Sequence, residues 1–163
     1  MQQQPILNLL ISPATILSLH PERDVYVFPT NVVGNKVRGL NATAAIMVLH
    51  PEREYVPRSG AFQDLYAIRV NKTPQKNDIS ESVQSDISTF LHFANEHPKN
   101  LFIMANGGWG AKYGKYPFDV HEFVRHAAAI GNIAVPEKMF YHTEDPYVLR
   151  RMPSIYDGKN NTF

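Results

Sequence analysis

The sequence predicts an α/β fold built on a largely parallel sheet. Three observations predict it. Short β-branched and aromatic runs alternate with segments of helical periodicity. Two of those segments are amphipathic and long enough to be helices. The run Leu101-Phe-Ile-Met-Ala105 is apolar throughout, the pattern of a central strand buried on both faces. The 163 residues match one domain, and 44% hydrophobic against 19% charged residues is the balance of a folded chain. No linker divides it. Residues 1–163 read as a single domain, with its core at about 20–140 and a C-terminal extension at about 142–163.

Residues 6–19 form a strand or a short helix, and periodicity does not choose between them. Asp24 to Phe28 is β-branched and aromatic and is expected to stop at Pro29. A loop over 30–39 leads into an Ala-rich helix from Leu40 to Leu49. Leu65 to Val70 is a second strand, and Asn71 to Asn77 a polar loop. Ile79, Val83, Ile87, Phe90, Leu91 and Ala94 recur at helical spacing. They predict a helix over 79–96, capped by Asp78 or Ser80 and closed by His97-Pro98. After the third strand, Leu101 to Ala105, a glycine-rich loop precedes a second helix from about Asp119 to Ile130. Its inward face is Val120, Phe123, Val124 and Ala127. Ile133 to Val135 is one more strand or an extended edge. The tail from His142 is polar, and its end, Asp157 to Phe163, is expected to be mobile. Leu-His-Pro-Glu-Arg occurs at 19–23 and again at 49–53. Two copies make no solenoid, so the echo is read as chance or as a repeated helix-ending turn.

Composition narrows the function. Sixteen Lys and Arg against 15 Asp and Glu, net +1, supply no broad basic field, so nucleic acid is not expected as a partner. The absence of cysteine excludes disulfides, thiolate nucleophiles and Cys-based zinc sites, and fits a reducing cytoplasm. No apolar stretch nears the roughly 20 residues of a membrane helix. Met1-Gln-Gln-Gln-Pro5 lacks the positive start of a secretory signal. A cytoplasmic protein without membrane contact, metal or cofactor is expected.

Two loops stand where an open α/β sheet binds ligands, beyond the carboxyl ends of strands. The loop at 106–114 holds four glycines in nine residues, beside Trp109 and Tyr113. Glycines let main-chain N–H groups approach an anion, and aromatic faces stack on a base. The plainer alternative is a tight surface turn, because neither a Walker lysine-hydroxyl pair nor a strict G-x-G-x-x-G is present. A bulky residue at Gly108 is expected to fill the turn and abolish nucleotide binding with the fold intact. The loop at 30–39 offers Asn31, Asn35, Lys36 and Arg38. An Asn amide can bond a sugar or base, and an Arg fork can pair with phosphate; equally, Asn31 caps the turn and Arg38 is solvated.

These residues carry a family resemblance. Tyr26-Val-Phe-Pro-Thr-Asn31-Val-Val-Gly34, then Arg38-Gly39-Leu-Asn41-Ala-Thr-Ala-Ala45, resembles the strand, loop and helix that open small macro-domain-like proteins of phages and bacteria. Gly60-Ala-Phe-Gln63-Asp-Leu-Tyr66-Ala67-Ile68 is similar to their second strand. Ile79 to Ala94 is similar to their long helix, and Phe102 to Asp119 to their strand, Gly-rich loop and returning helix. The likeness covers about residues 24–130. Pro29-Thr30 stands where Gly-Ser is usual, Val37 replaces a loop glycine, and Trp109 sits within the Gly-rich turn. The resemblance implies a three-layer α/β/α fold with a mixed, largely parallel sheet and a cleft for ADP-ribose or a related nucleotide. Asn31, Gly34 and Gly39 would fall in the first loop, on the distal-ribose side, with Arg38 and Asn41 as further candidate ligand residues beside them. Gly107, Gly108 and Gly110 would hold the diphosphate, with Asn106 a further candidate ligand residue beside them and Trp109 or Tyr113 covering the ligand.

Three functions are compatible with this reading. The first is a binder of ADP-ribose or of an NAD-derived signalling nucleotide. In a phage gene product it would sequester an immune signal in the host cytoplasm. The second is a hydrolase of an ADP-ribosyl linkage, with Asp119, Asp64 or His121 as the general base. The third is a protein-interaction domain, self-association included, with a vestigial cleft. Fold does not choose among them. For each candidate base a plainer role competes: a helix cap for Asp119, a turn for Asp64, a rim position for His121. His92 and Glu96, four apart on one helix, lack a third metal ligand and read as a solvated face; His126 reads likewise.

Overall fold

The computed structural model describes residues 5–30, 60–70, 81–110 and 115–160. The expected helix over 40–49 and the loops at 31–39 and 71–77 lie outside them. In chain order the described elements begin with β1 (Leu7–Ile11), β2 (Thr15–Ser18), β3 (Asp24–Thr30), β4 (Gly60–Phe62) and β5 (Leu65–Arg69). Then come α1 (Glu81–Glu96), β6 (Leu101–Met104), α2 (Val120–Ile130), β7 (Ile133–Val135) and α3 (Glu137–Phe140). β8 (Tyr147–Arg151) and β9 (Ile155–Asp157) close the chain's described part. Seven strands make one sheet in the order β4-β5-β3-β6-β7-β1-β8, and β2 and β9 make a second. All pairs are parallel except the β4–β5 hairpin. The α/β class and the mixed, mostly parallel sheet are as expected.

The expected central strand, β6, stands fourth of seven. Its residues alternate between two cores, as period two requires. Phe102 and Met104 belong to the larger core, under the helices. Leu101 and Ile103 belong to a smaller one with Ala134, Met152 and Tyr156, against which Ile16 and Leu19 pack. The crossovers β5-α1-β6, β6-α2-β7 and β7-α3-β8 all advance in one direction across the sheet. Right-handed crossovers that advance the same way leave their helices on the same face, and α1 touches α2, which touches α3. Val83, Ile87, Phe90 and Ala94 make the buried stripe of α1; Phe123, Val124, Ala127 and Ala128 that of α2. Phe90 meets Phe102 edge-on at 5.7 Å and lies 6.4 Å from Phe123, so one ring joins both helices to the sheet.

The ends of the chain differ from expectation. Residues 6–19 give two strands and no helix. The first Leu-His-Pro-Glu-Arg copy follows β2, so it ends a strand rather than a helix; the second lies outside the described residues. β3 runs through Pro29 to Thr30. Val27 accepts from the Ala105 N–H on the β6 side, and Pro29 points to that same side, where β6 has ended. The missing proline N–H therefore costs no ladder bond. The polar tail supplies β8 and β9, and Asp157 closes β9. The mobile end expected from Asp157 onward is corrected at that residue. Its carboxylate accepts from Ser18 Oγ, from the Lys159 N–H at 3.0 Å and from Asn160 Nδ2 at 2.8 Å.

Tyr156, fully buried on β9, donates to the Asp24 carboxylate at 2.5 Å. Asp24, 2% exposed, also accepts from the His20 N–H at 2.7 Å and from Arg23 Nε at 2.9 Å. Tyr156→Phe removes one donor from a buried charge. It is expected to lower the unfolding free energy by about 1–3 kcal/mol at pH 7, read from urea denaturation. Burial first, and then the bond to Asp24, push the Tyr156 phenol up to about 12. The unfolded chain releases this proton near pH 10, so the contribution is full below about pH 10 and is lost as pH rises toward about 12. The Phe variant should lose less stability than the native chain between those values, whereas Tyr66, also raised to about 12 by burial, titrates in both.

Candidate functional site

Parallel strands present their carboxyl ends at one edge, where the loops that leave them converge. From β3 the chain passes to β5 on one side; from β6 it passes to β7 on the other. Adjacent strands whose connections part in this way form a switch point, the usual ligand crevice of open α/β sheets. The two loops singled out from the sequence follow these two strands. Asn31, Gly34, Arg38 and Gly39 of the first, Asn41 just after it, and Tyr113 of the second lie outside the described residues.

The second loop is described from Asn106 to Gly110. Asn106 Nδ2 donates to the Pro13 carbonyl at 2.6 Å and the Ala14 carbonyl at 3.2 Å, tying this loop to the one after β1. Gly108 has φ +86°, and a Cβ there would stand 2.9 Å from Pro29 Cγ. Left-handed backbone and close approach to the end of β3 both require glycine at this position. A bulky side chain would therefore strain the turn and displace Pro29, which corrects the expectation that the fold tolerates one. The hydrogen bonds of the described residues include none donated by the N–H groups of Gly107 or Gly108. Gly110, at φ +88°, continues the turn.

Trp109 is 3% exposed and belongs to the main core. Its indole N–H donates to the Ala105 carbonyl at 2.5 Å. The expected stacking platform is thus corrected to a core side chain: the turn gives the ring apolar cover and gives its single donor a partner.

A groove of about 610 Å³ opens beside this turn, across the carboxyl ends of β6, β7, β1 and β8. That is within the roughly 300–1,000 Å³ of small-molecule sites. Asn106 and Gly107 line it, as do Glu137 and Lys138 after β7 and Arg151 at the end of β8. Arg151 Nη1 is ion-paired with Glu137 Oε1, and the Tyr141 hydroxyl, also on the groove, donates to Glu137 Oε2 at 2.7 Å. Among the described residues of the lining, two cations and one carboxylate give a positive balance. Ser12, which also lines it, is buried and donates to the Ala134 carbonyl at 3.0 Å. That hydroxyl is a structural pin between β1 and β7.

The structure does not gather the three candidate bases here. Asp119 is the N-cap of α2: its carboxylate accepts from the Glu122 N–H at 3.1 Å, and its own N–H donates to Gln84 at 2.9 Å. Asp64 lies in the β4–β5 turn, before the amino end of β5 and so at the opposite edge of the sheet. Its carbonyl accepts from Tyr26 at 2.9 Å. His121 Nε2 lies 2.8 Å from Arg125 Nη2. Arg has no acceptor, so that lone pair is committed. Asp145 completes this surface group, bonding Arg125 at 3.2 Å and raising its pKa. His92 pairs with Glu96 at 3.1 Å, and His126 with Glu122 at 2.9 Å, both on exposed helix faces. Among the described residues no group of three or more His, Asp or Glu is placed to hold a metal ion, and no helix is long and apolar enough to cross a membrane.

Sequence reasoning missed Glu137, Lys138, Tyr141 and Arg151. The rule that sites follow parallel strands would have nominated Glu137 and Lys138, had Ile133 to Val135 been counted as such a strand. Arg151 carried no signal, because β8 has one half-buried face and reads as a polar tail.

Asn106→Ala is expected to cost about 1 kcal/mol and to speed amide exchange over 105–110. Gly108→Ala should cost about 1–2 kcal/mol for the left-handed backbone, and more for the contact with Pro29. In a cycle with Pro29→Ala, urea denaturation should show the two positions coupled; independent effects would contradict the packing of this loop on β3. A comparison with protein-family models, curated proteins and solved structures finds no match to this chain.

Proposed function

We propose that this chain binds ADP-ribose or a related NAD-derived signalling nucleotide at the carboxyl edge of its sheet, with phosphate seated against the loop after β6. One observation carries the reading. The turn of Gly107 and Gly108, whose N–H groups donate no hydrogen bond among the described residues, stands at the switch point and borders a groove lined by Lys138 and Arg151. Main-chain amides and two cations are the chemistry that holds a diphosphate. The resemblance to small macro-domain-like proteins supports the same ligand class, and the α/β class with a mostly parallel sheet accords with it. Binding without hydrolysis fits best, because Asp64, Asp119 and His121 are each engaged away from the groove. Should the gene be viral, removal of an immune signal by sequestration is the role this binding would serve in the host cytoplasm.

Titration calorimetry of the whole chain with ADP-ribose, cyclic ADP-ribose isomers and cyclic dinucleotides tests the proposal. At a hundredfold excess over Kd the ligand should stabilise the fold by about 2.7 kcal/mol. Lys138→Ala should weaken binding with unchanged stability. Chromatography should return the ligand intact; an altered ligand would favour hydrolysis. No heat with any of these nucleotides would reject the reading.

A further inference from the structure

We infer that Glu137 is a built-in competitor for the ligand: in the empty groove its carboxylate occupies Arg151, and a phosphate binds by taking its place on the guanidinium. This rests on the nucleotide-binding reading and adds how the site discriminates. Glu137 and Arg151 both line the groove and are ion-paired with each other. Their side chains keep 34% and 54% of their exposure, so water screens the pair and partner exchange is easy. A guanidinium offers a planar fork that suits phosphate as well as carboxylate, and a diphosphate, with one charge on each phosphorus, can also engage Lys138 on the same lining. The second Glu137 oxygen is held by the Tyr141 hydroxyl at 2.7 Å, which gives the displaced carboxylate an anchor. Lys138, the neighbouring residue, supplies a second cation on the same lining. Weakly charged or neutral ligands cannot displace Glu137, so the pair selects for a phosphate group at this end of the groove.

Calorimetry with ADP-ribose and with inorganic pyrophosphate, on the native chain and four variants, tests the inference. Glu137→Gln frees the guanidinium and should tighten binding of both probes by about two- to fivefold. Arg151→Gln should weaken binding at least about tenfold, and Arg151→Lys, which keeps charge but not the fork, should fall between. In the Arg151→Gln background Glu137→Gln should give no gain, because no guanidinium remains to be freed. Near-ultraviolet dichroism confirms each fold. If Glu137→Gln does not fold, Glu137→Asp, whose shorter arm withdraws the carboxylate, should show the same tightening. Native protein that binds the probes while Glu137→Gln binds them equally or less tightly would overturn competition and leave nucleotide binding standing. A gain that persists without Arg151 would also overturn it, as a general field effect. Failure of the native chain and every variant to bind either probe would remove the nucleotide-binding reading itself.

Discussion

A carboxylate beneath a sheet has no water to solvate it, and Asp24 is such a group. Its charge is tolerable only because the His20 N–H, Arg23 and Tyr156 all donate to it. Two of these donors come from the turn before β3 and the third from the last described strand of the chain. Tyr156 therefore fixes β9 beside β2 and over the face of the sheet formed by Leu101, Ile103 and Ala134. The short link between β8 and β9 is fixed in turn, and Arg151 and Met152 on the groove lie in or beside it. A bond 132 residues long in sequence at one edge of the sheet thus sets a wall of the candidate site at the other.

The glycine-rich loop connects this frame to the chemistry. It is held at three points: Gly108 on Pro29, Asn106 on the carbonyls after β1, and Trp109 in the core. A loop anchored in this way presents its backbone in a fixed geometry, so the ordering cost of any ligand bound there would be met during folding. The burial of Trp109 thereby becomes intelligible. An aromatic ring next to glycines serves the site as well by rigidifying the turn as by touching a ligand.

Much of the fold was legible because its determinants are local. The continuous apolar run of β6 marked a strand covered on both faces, and the stripes of α1 and α2 marked which face each helix buries. Residues 6–19 were not legible, because β1 is a strand only through β7 and β8, whose partners lie more than a hundred positions away. The tail failed for the same reason: nothing local in Tyr147 to Arg151 states that β1 will offer it a ladder. Trp109 and Asp64 failed differently. Spacing placed both near glycine or turn residues, yet which side of the sheet a turn faces is a property of topology.

The choice between binding and hydrolysis turns on free lone pairs. A general base must offer one to the water it activates, within about 2.6–3.2 Å. Among the described residues lining the groove the one carboxylate is that of Glu137, and each of its oxygens already has a partner, Arg151 or Tyr141. Freed from Arg151 by a phosphate, it would lie beside that phosphate, and repulsion would turn it away from the bound ligand. If that carboxylate competes with phosphate as proposed, it would thereby be poorly placed to activate water against a ligand in the groove. On the proposed reading, a site of this construction would retain its ligand rather than cleave it, which is what sequestering a nucleotide would require.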